Sequence, residues 1–62
     1  MIRMIEIEGN SGRGYKDAAD NALGSLRRKG EKVHFYSEKG RHLTEKGHNR
    51  CYKVMLNVAI QI

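Results

Sequence analysis

The chain has 62 residues, a net charge of +5 from twelve Lys and Arg against seven Asp and Glu, and one cysteine, Cys51. At this length the expectation is one domain, residues 1–62, burying only about 60% of its unfolded surface, which excludes a large enzyme with its own deep pocket. A single cysteine excludes an internal disulfide; it points to a reducing, cytoplasmic setting in which a metal or further copies of the chain supply extra stability. No apolar run is long enough to span a membrane, and Met1 to Gly9 alternates, with two glutamates where a secretory signal would be continuously apolar.

The first predicted element is a strand over Ile2 to Glu8, rich in isoleucine and partly alternating. The second is a helix. Tyr15, Ala18, Ala19, Ala22, Leu23 and Leu26 recur at offsets of three and four, which places them on one face. Asn10 or Ser11 is the expected cap, Asp17 suits the positive end of the dipole, and Arg27, Arg28 and Lys29 suit the negative end. Gly30 fits the residue just past the helix. The alanines let this helix lie close to a sheet.

Val33 to Ser37 reads as a second strand, with Val33 and Phe35 on one side and His34 and Tyr36 on the other. From Glu38 the chain turns polar, and Gly40 and Gly47 are expected at bulge or turn positions. The C-terminal segment is the clearest. Tyr52, Val54, Leu56, Val58, Ile60 and Ile62 alternate with mixed residues, so Tyr52 to Ile62 is a long strand with one buried face. The fold class is therefore α+β: one βαββ unit, a three-stranded antiparallel sheet with a hairpin turn around Glu45-Lys46-Gly47-His48. One helix covers one face. The other, carrying Met55, Ala59, Cys51 and Ile2 or Met4, is too apolar for plain solvent surface, and a homo-oligomer is expected.

Two stretches resemble a known family. Gly9-x-Ser11 followed by Tyr15-x-x-Ala18-x-x-Asn21-Ala22-Leu23 is similar to the helix entry and helix of the dodecins, where G-x-S, an aromatic and A-x-x-N-A-I/L occur in that order. Glu45-Lys46-Gly47-His48, then Tyr52-Lys53-Val54-x-Leu56-x-Val58, resembles the dodecin turn and last strand, E-N-G-K and Y-Q-V-x-L-x-V. The resemblance covers almost the whole chain, with about one residue missing between the helix and the second strand. It implies a βαββ protein whose twelve copies form a hollow sphere that stores or shields flavin (riboflavin, FMN) without turnover, and so not an enzyme. In that family the ring lies between a tryptophan of the second strand and a glutamine of the third.

This chain has no tryptophan. Counting back from the last strand puts His34 at the tryptophan position, or Val33 with a shift of one, and Lys53 at the glutamine position. Imidazole stacks with less area than indole, and a lysine donates but does not accept. His34 and Lys53 are thus the expected ligand contacts, with Tyr36 as a second stacking residue; a related phosphorylated cofactor such as coenzyme A is an alternative ligand. His42, His48 and Cys51 lack a fourth metal ligand within the chain, so a metal would need a symmetric interface. Gly9-x-x-Gly12-x-Gly14 fits neither the dinucleotide fingerprint nor the P-loop, although helix-entry amides near Arg13 can hold an anion. No spacing suggests catalysis.

A second function class rests on charge. Arg27, Arg28, Lys29 and Lys32 cluster at the helix end, and Lys39, Arg41, Lys46, Arg50 and Lys53 on the hairpin. Both groups suit nucleic-acid phosphates, and twelve copies would carry about +60. Glu31, Glu38 and Glu45 interleave with them, the arrangement of an ordinary solvated face.

Overall fold

Alternation of apolar residues along β3 decides the architecture, because only a helix of matching length covers the face it creates. The computed structural model describes Met1–Ile62. It contains β1 (Ile2–Ser11), α1 (Tyr15–Arg28), β2 (Lys32–Lys46) and β3 (Asn49–Gln61). The strands form one antiparallel sheet in the order β1-β3-β2, so β3 lies in the middle and pairs on both sides. Helix α1 packs mainly over β1 and β3.

The helix stripe and the β3 alternation meet as expected. Ala18, Ala22, Leu23 and Leu26 are buried against Val54, Leu56, Val58 and Ile60, with Ile5, Ile7, Ala19 and Val33 at the margin. Tyr15 belongs to that margin rather than to the core. Full burial of a side chain such as Leu56 contributes about 1.5–3 kcal/mol. The small side chains of α1 bring its backbone down onto Gly9 of β1. An added Cβ at Gly9 would stand 2.0 Å from the Ala18 carbonyl oxygen and 2.8 Å from the Ala22 Cβ. Asn21 clamps the same contact by donating from Nδ2 to the Asn10 carbonyl at 2.9 Å.

The ends of α1 differ in their chemistry. The N-cap is Gly14, with no side-chain cap, which corrects the expectation for Asn10 or Ser11. Ser11 instead accepts from the Arg13 amide and donates to Asp17 Oδ2, so the carboxylate closes the helix entry from within. At the other end Gly30 takes φ +85°, and the Gly30 and Glu31 amides return to the Arg27 and Leu26 carbonyls at 3.0 and 3.1 Å. These paired bonds form the glycine-ended helix stop, which satisfies its carbonyls with backbone alone.

The hairpin is longer than the pattern suggests. The polar stretch after Glu38 is strand, not turn, because β2 runs on to Lys46 against β3. The loop is Gly47-His48. Only Gly47 has positive φ, at +62°, as in the two-residue turn with glycine first.

In urea unfolding, Gly9→Ala is expected to lose about 3 kcal/mol or fail to fold, since the helix backbone itself is displaced. Gly24→Ala, whose added carbon meets only Arg28 at 4.0 Å, is expected to gain about 0.5–1 kcal/mol from helix propensity.

Candidate functional site

Residues paired across neighbouring strands share a face, so the register separates the two sides of the sheet. The side away from α1 carries Ile2, Met4, Glu6, Glu8 and Asn10 of β1 beside Gln61, Ala59, Asn57, Met55 and Lys53 of β3. From β2 it carries Lys32, Phe35, Ser37, Gly40, His42 and Thr44. Phe35, Met4 and Ile2 are 58%, 55% and 51% exposed on this face, an apolar patch with no cover from its own chain. Ala59, flanked by Met4 and Phe35, is the one fully buried residue there.

Two register shifts in β2 set which side chains join this face. Val33 pairs with Ile60 and Phe35 with Ala59, so His34 is the extra residue of a bulge. His34 turns to the open side, where its Nε2 lies 2.8 Å from Gln61 Oε1. The bulge overturns the alternation expected for this strand. Val33 lies on the helix side against the core, Phe35 joins His34 on the open side, and Tyr36, opposite Val58, lies on the helix side. The second shift makes Lys39 the extra residue before Gly40. It directs Lys39 Nζ to Glu6 Oε2 at 2.8 Å on the open face.

Lys53 also lies on the open face, paired with Glu8 Oε1 at 3.2 Å. Along β3, six to seven residues separate it from the level of His34, about 20–23 Å at 3.3 Å per residue. One chain therefore does not bring His34, Tyr36 and Lys53 together. His34 and Lys53 share a face at opposite ends, while Tyr36 is half-exposed on the other side, beyond the edge of α1. Gln61 and Phe35, neighbours of His34, gave no signal in the sequence because the bulge that gathers them is not written in any periodicity.

The helix side carries its own polar cluster near the hairpin. Arg41 stacks over Tyr15 at 4.8 Å, Tyr15 meets Tyr52 edge-on at 5.0 Å, and Arg41 Nε donates to both Glu38 oxygens at 2.8 Å. Arg50 pairs with Glu45 at 3.3 Å. Its pKa is raised above the ordinary value, first by the Tyr52 side chain and then by Glu45. Arg41 and Tyr15 close the end of the core where the helix begins.

No three His, Cys, Asp or Glu side chains gather into a set that can hold a metal. His42 lies beside Lys53, Cys51 is exposed beside Thr44, and His48 is in the turn. At the glycine-rich helix entry, the Asp17 carboxylate accepts from Ser11 and places a negative charge beside the first turn, which disfavours a bound anion there.

Comparison with solved structures finds the same backbone over the whole chain. A T. thermophilus dodecin variant superposes with a TM-score of 0.91 at 22% identity, covering 100% of this chain and 94% of that one. A second T. thermophilus dodecin variant gives 0.89 at 24%, with the same coverage. Dodecin from Streptomyces davaonensis gives 0.89 at 16%, covering 100% and 93%.

The chain has the dodecin fold.

No protein-family model matches the sequence, and no curated protein matches it significantly. His34 and Lys53, which the sequence resemblance sets opposite the family's tryptophan and glutamine, both lie on the open face of this fold. The Lys53–Glu8 pair is an exposed one, of a kind that contributes about 0–1 kcal/mol. Lys53→Gln is therefore expected to shift the urea unfolding free energy by less than about 1 kcal/mol, which makes it a usable variant for ligand work.

Proposed function

We propose that this chain is the subunit of a homo-oligomer, a dodecamer by analogy with the fold's family, that binds and stores a flat aromatic ligand without turning it over. Flavin, as riboflavin or FMN, is the leading ligand, and His34 and Lys53 are its contacts from different subunits, while Tyr36, on the helix side of β2, does not share their face. The observation that carries this reading is the exposed apolar face with a fixed imidazole on it. Ile2, Met4 and Phe35 leave open a surface of the kind that subunits cover, and Gln61 holds the His34 ring in place beside Phe35.

The residues present fit such a ligand. His34 and Phe35 offer two ring faces for stacking, the Gln61 amide offers both a donor and an acceptor, and Lys53 can meet a carbonyl or phosphate. Glu8 offsets the Lys53 charge, which lowers the cost of placing an ammonium under a ring. The single chain has no enclosed pocket. The separation of His34 from Lys53 supports a site completed by a neighbouring copy. No arrangement of nucleophile, base and orienting group accompanies it.

Size-exclusion chromatography with light scattering is expected to give the mass of about twelve chains, and a monomer would overturn the assembly. Titration of the protein into riboflavin or FMN is expected to quench ligand fluorescence. His34→Ala is expected to weaken binding about threefold to tenfold, the range of one lost stacking contact. Unchanged affinity would remove His34 from the site.

A further inference from the structure

The two basic regions legible in the sequence are not equivalent once the chain is folded. On the hairpin, Lys39, Arg41, Arg50 and Lys53 each pair with a carboxylate, Glu6, Glu38, Glu45 and Glu8 respectively, and Lys46 alone of that group forms no ion pair. Those four pairs use four of the seven acidic residues, and Asp17 is engaged by Ser11. At the opposite end the chain behaves differently. Arg27, Arg28 and Lys29 close α1, and Lys32 opens β2 three residues later. Topology brings Arg3 to the same end, because Arg3 pairs with Ile60, whose other neighbour is Val33. All five are exposed, and none forms an ion pair within 4.0 Å.

Glu31 is the one carboxylate side chain in this group. Five cations against one anion leave a surplus of four at a single end of a chain whose whole net charge is +5. Capping the helix does not require these cations. The Gly30 and Glu31 amides already satisfy the last carbonyls, so the guanidinium and ammonium groups are free to face outward. Three of the five are arginines, whose planar fork matches phosphate oxygens in pairs. Arg3 lies on the helix side of β1 below the end of α1, and Lys32, two strand spacings away at about 10 Å, lies on the opposite side of the sheet, so the cations wrap this end from both sides. The result is a broad cationic surface rather than a point.

We propose that this end of the molecule, formed by Arg3, Arg27, Arg28, Lys29 and Lys32, binds the phosphate backbone of nucleic acid without reading sequence. A duplex presents one charge per ~1.7 Å of axis, so a surface of this width faces several phosphates at once. On the helix side the apolar side chains beside the cations, Ala22, Leu23 and Leu26, are buried in the core and offer a bilayer no wedge. Met1, Ile62 and, on the open face, Ile2, Met4 and Phe35 are exposed at the same end, and lipid vesicles therefore form the second arm of the test. The surface lies apart from Lys53 and from the hairpin, but Lys32 pairs with Gln61 beside His34, so the test variants are placed on α1, away from the proposed flavin contact.

The test is fluorescence anisotropy of a labelled 20-base-pair duplex of arbitrary sequence, with the full chain, from 50 to 200 mM salt. With about four phosphates neutralised, affinity is expected to fall on the order of a hundredfold across that range. The double variant Arg27→Gln/Arg28→Gln, confirmed folded by circular dichroism and unchanged in mass, is expected to weaken binding at least tenfold and to flatten the salt slope by about two. The hairpin double variant Lys39→Gln/Arg50→Gln is expected to stay within about twofold of the parent at a fixed salt concentration, since each cation it removes is already paired. Absence of duplex binding at 50 mM salt would overturn the proposal, and so would equal losses in the two double variants. Binding to phosphatidylglycerol vesicles without binding to the duplex would assign the surface to a membrane and overturn it as well.

Discussion

A single helix covers one face of a three-stranded sheet and no more. That constraint organises the molecule. β3 occupies the middle of the sheet and gives its even-numbered residues to the helix, which buries Val54, Leu56, Val58 and Ile60. The opposite face has no helix left to cover it, yet it keeps Ile2, Met4 and Phe35 rather than a purely polar set. A chain of this length gains little from its own core, so apolar surface left on the sheet is the natural place for a second body to add stability. The close approach at Gly9 makes the covered half compact, since nothing larger fits beneath the Ala18 carbonyl.

The two irregularities of β2 act on the uncovered half. Each bulge inserts one residue that has no partner of its own and sends it to the open face: His34 to Gln61, and Lys39 to Glu6. Without the first bulge, His34 would share its side with Tyr36 and Phe35 would share a side with Val33. With it, an imidazole and a phenyl ring stand together at one end of the open face. The long hairpin serves the other end, where Arg41, Tyr15 and Tyr52 seal the entry to the core and Lys53 faces outward beside Glu8.

Charge is partitioned by the same geometry. Glutamates of β1 stand beside lysines of β2 and β3 on the open face, while Glu38 and Glu45 meet arginines on the helix side of the hairpin. These pairs neutralise most of the sheet. The helix end, which the chain reaches just before the turn at Gly30, has too few carboxylates nearby to be balanced. A net charge that composition spreads evenly over the chain is thus concentrated at one end.

The order of elements, the core stripe of α1, the buried face of β3 and the glycine helix stop were all legible in the sequence. Each rests on a local rule: a period of 3.6 or 2.0, or a backbone angle that glycine adopts freely. The resemblance at Gly9 to Leu23 and at Tyr52 to Val58 pointed to the fold that the solved structures share. What only the tertiary structure decided was the pairing. The polar half of β2 carries no apolar alternation of its own, and it becomes strand because β3 provides a ladder of hydrogen-bonding partners. The bulge at His34, the side taken by Phe35 and Tyr36, and the distance from His34 to Lys53 all follow from register. Register is a relation between strands, and no periodicity within one strand encodes it. Which cations remain unpaired was hidden for the same reason, since an ion pair such as Lys39–Glu6 joins residues far apart in the chain.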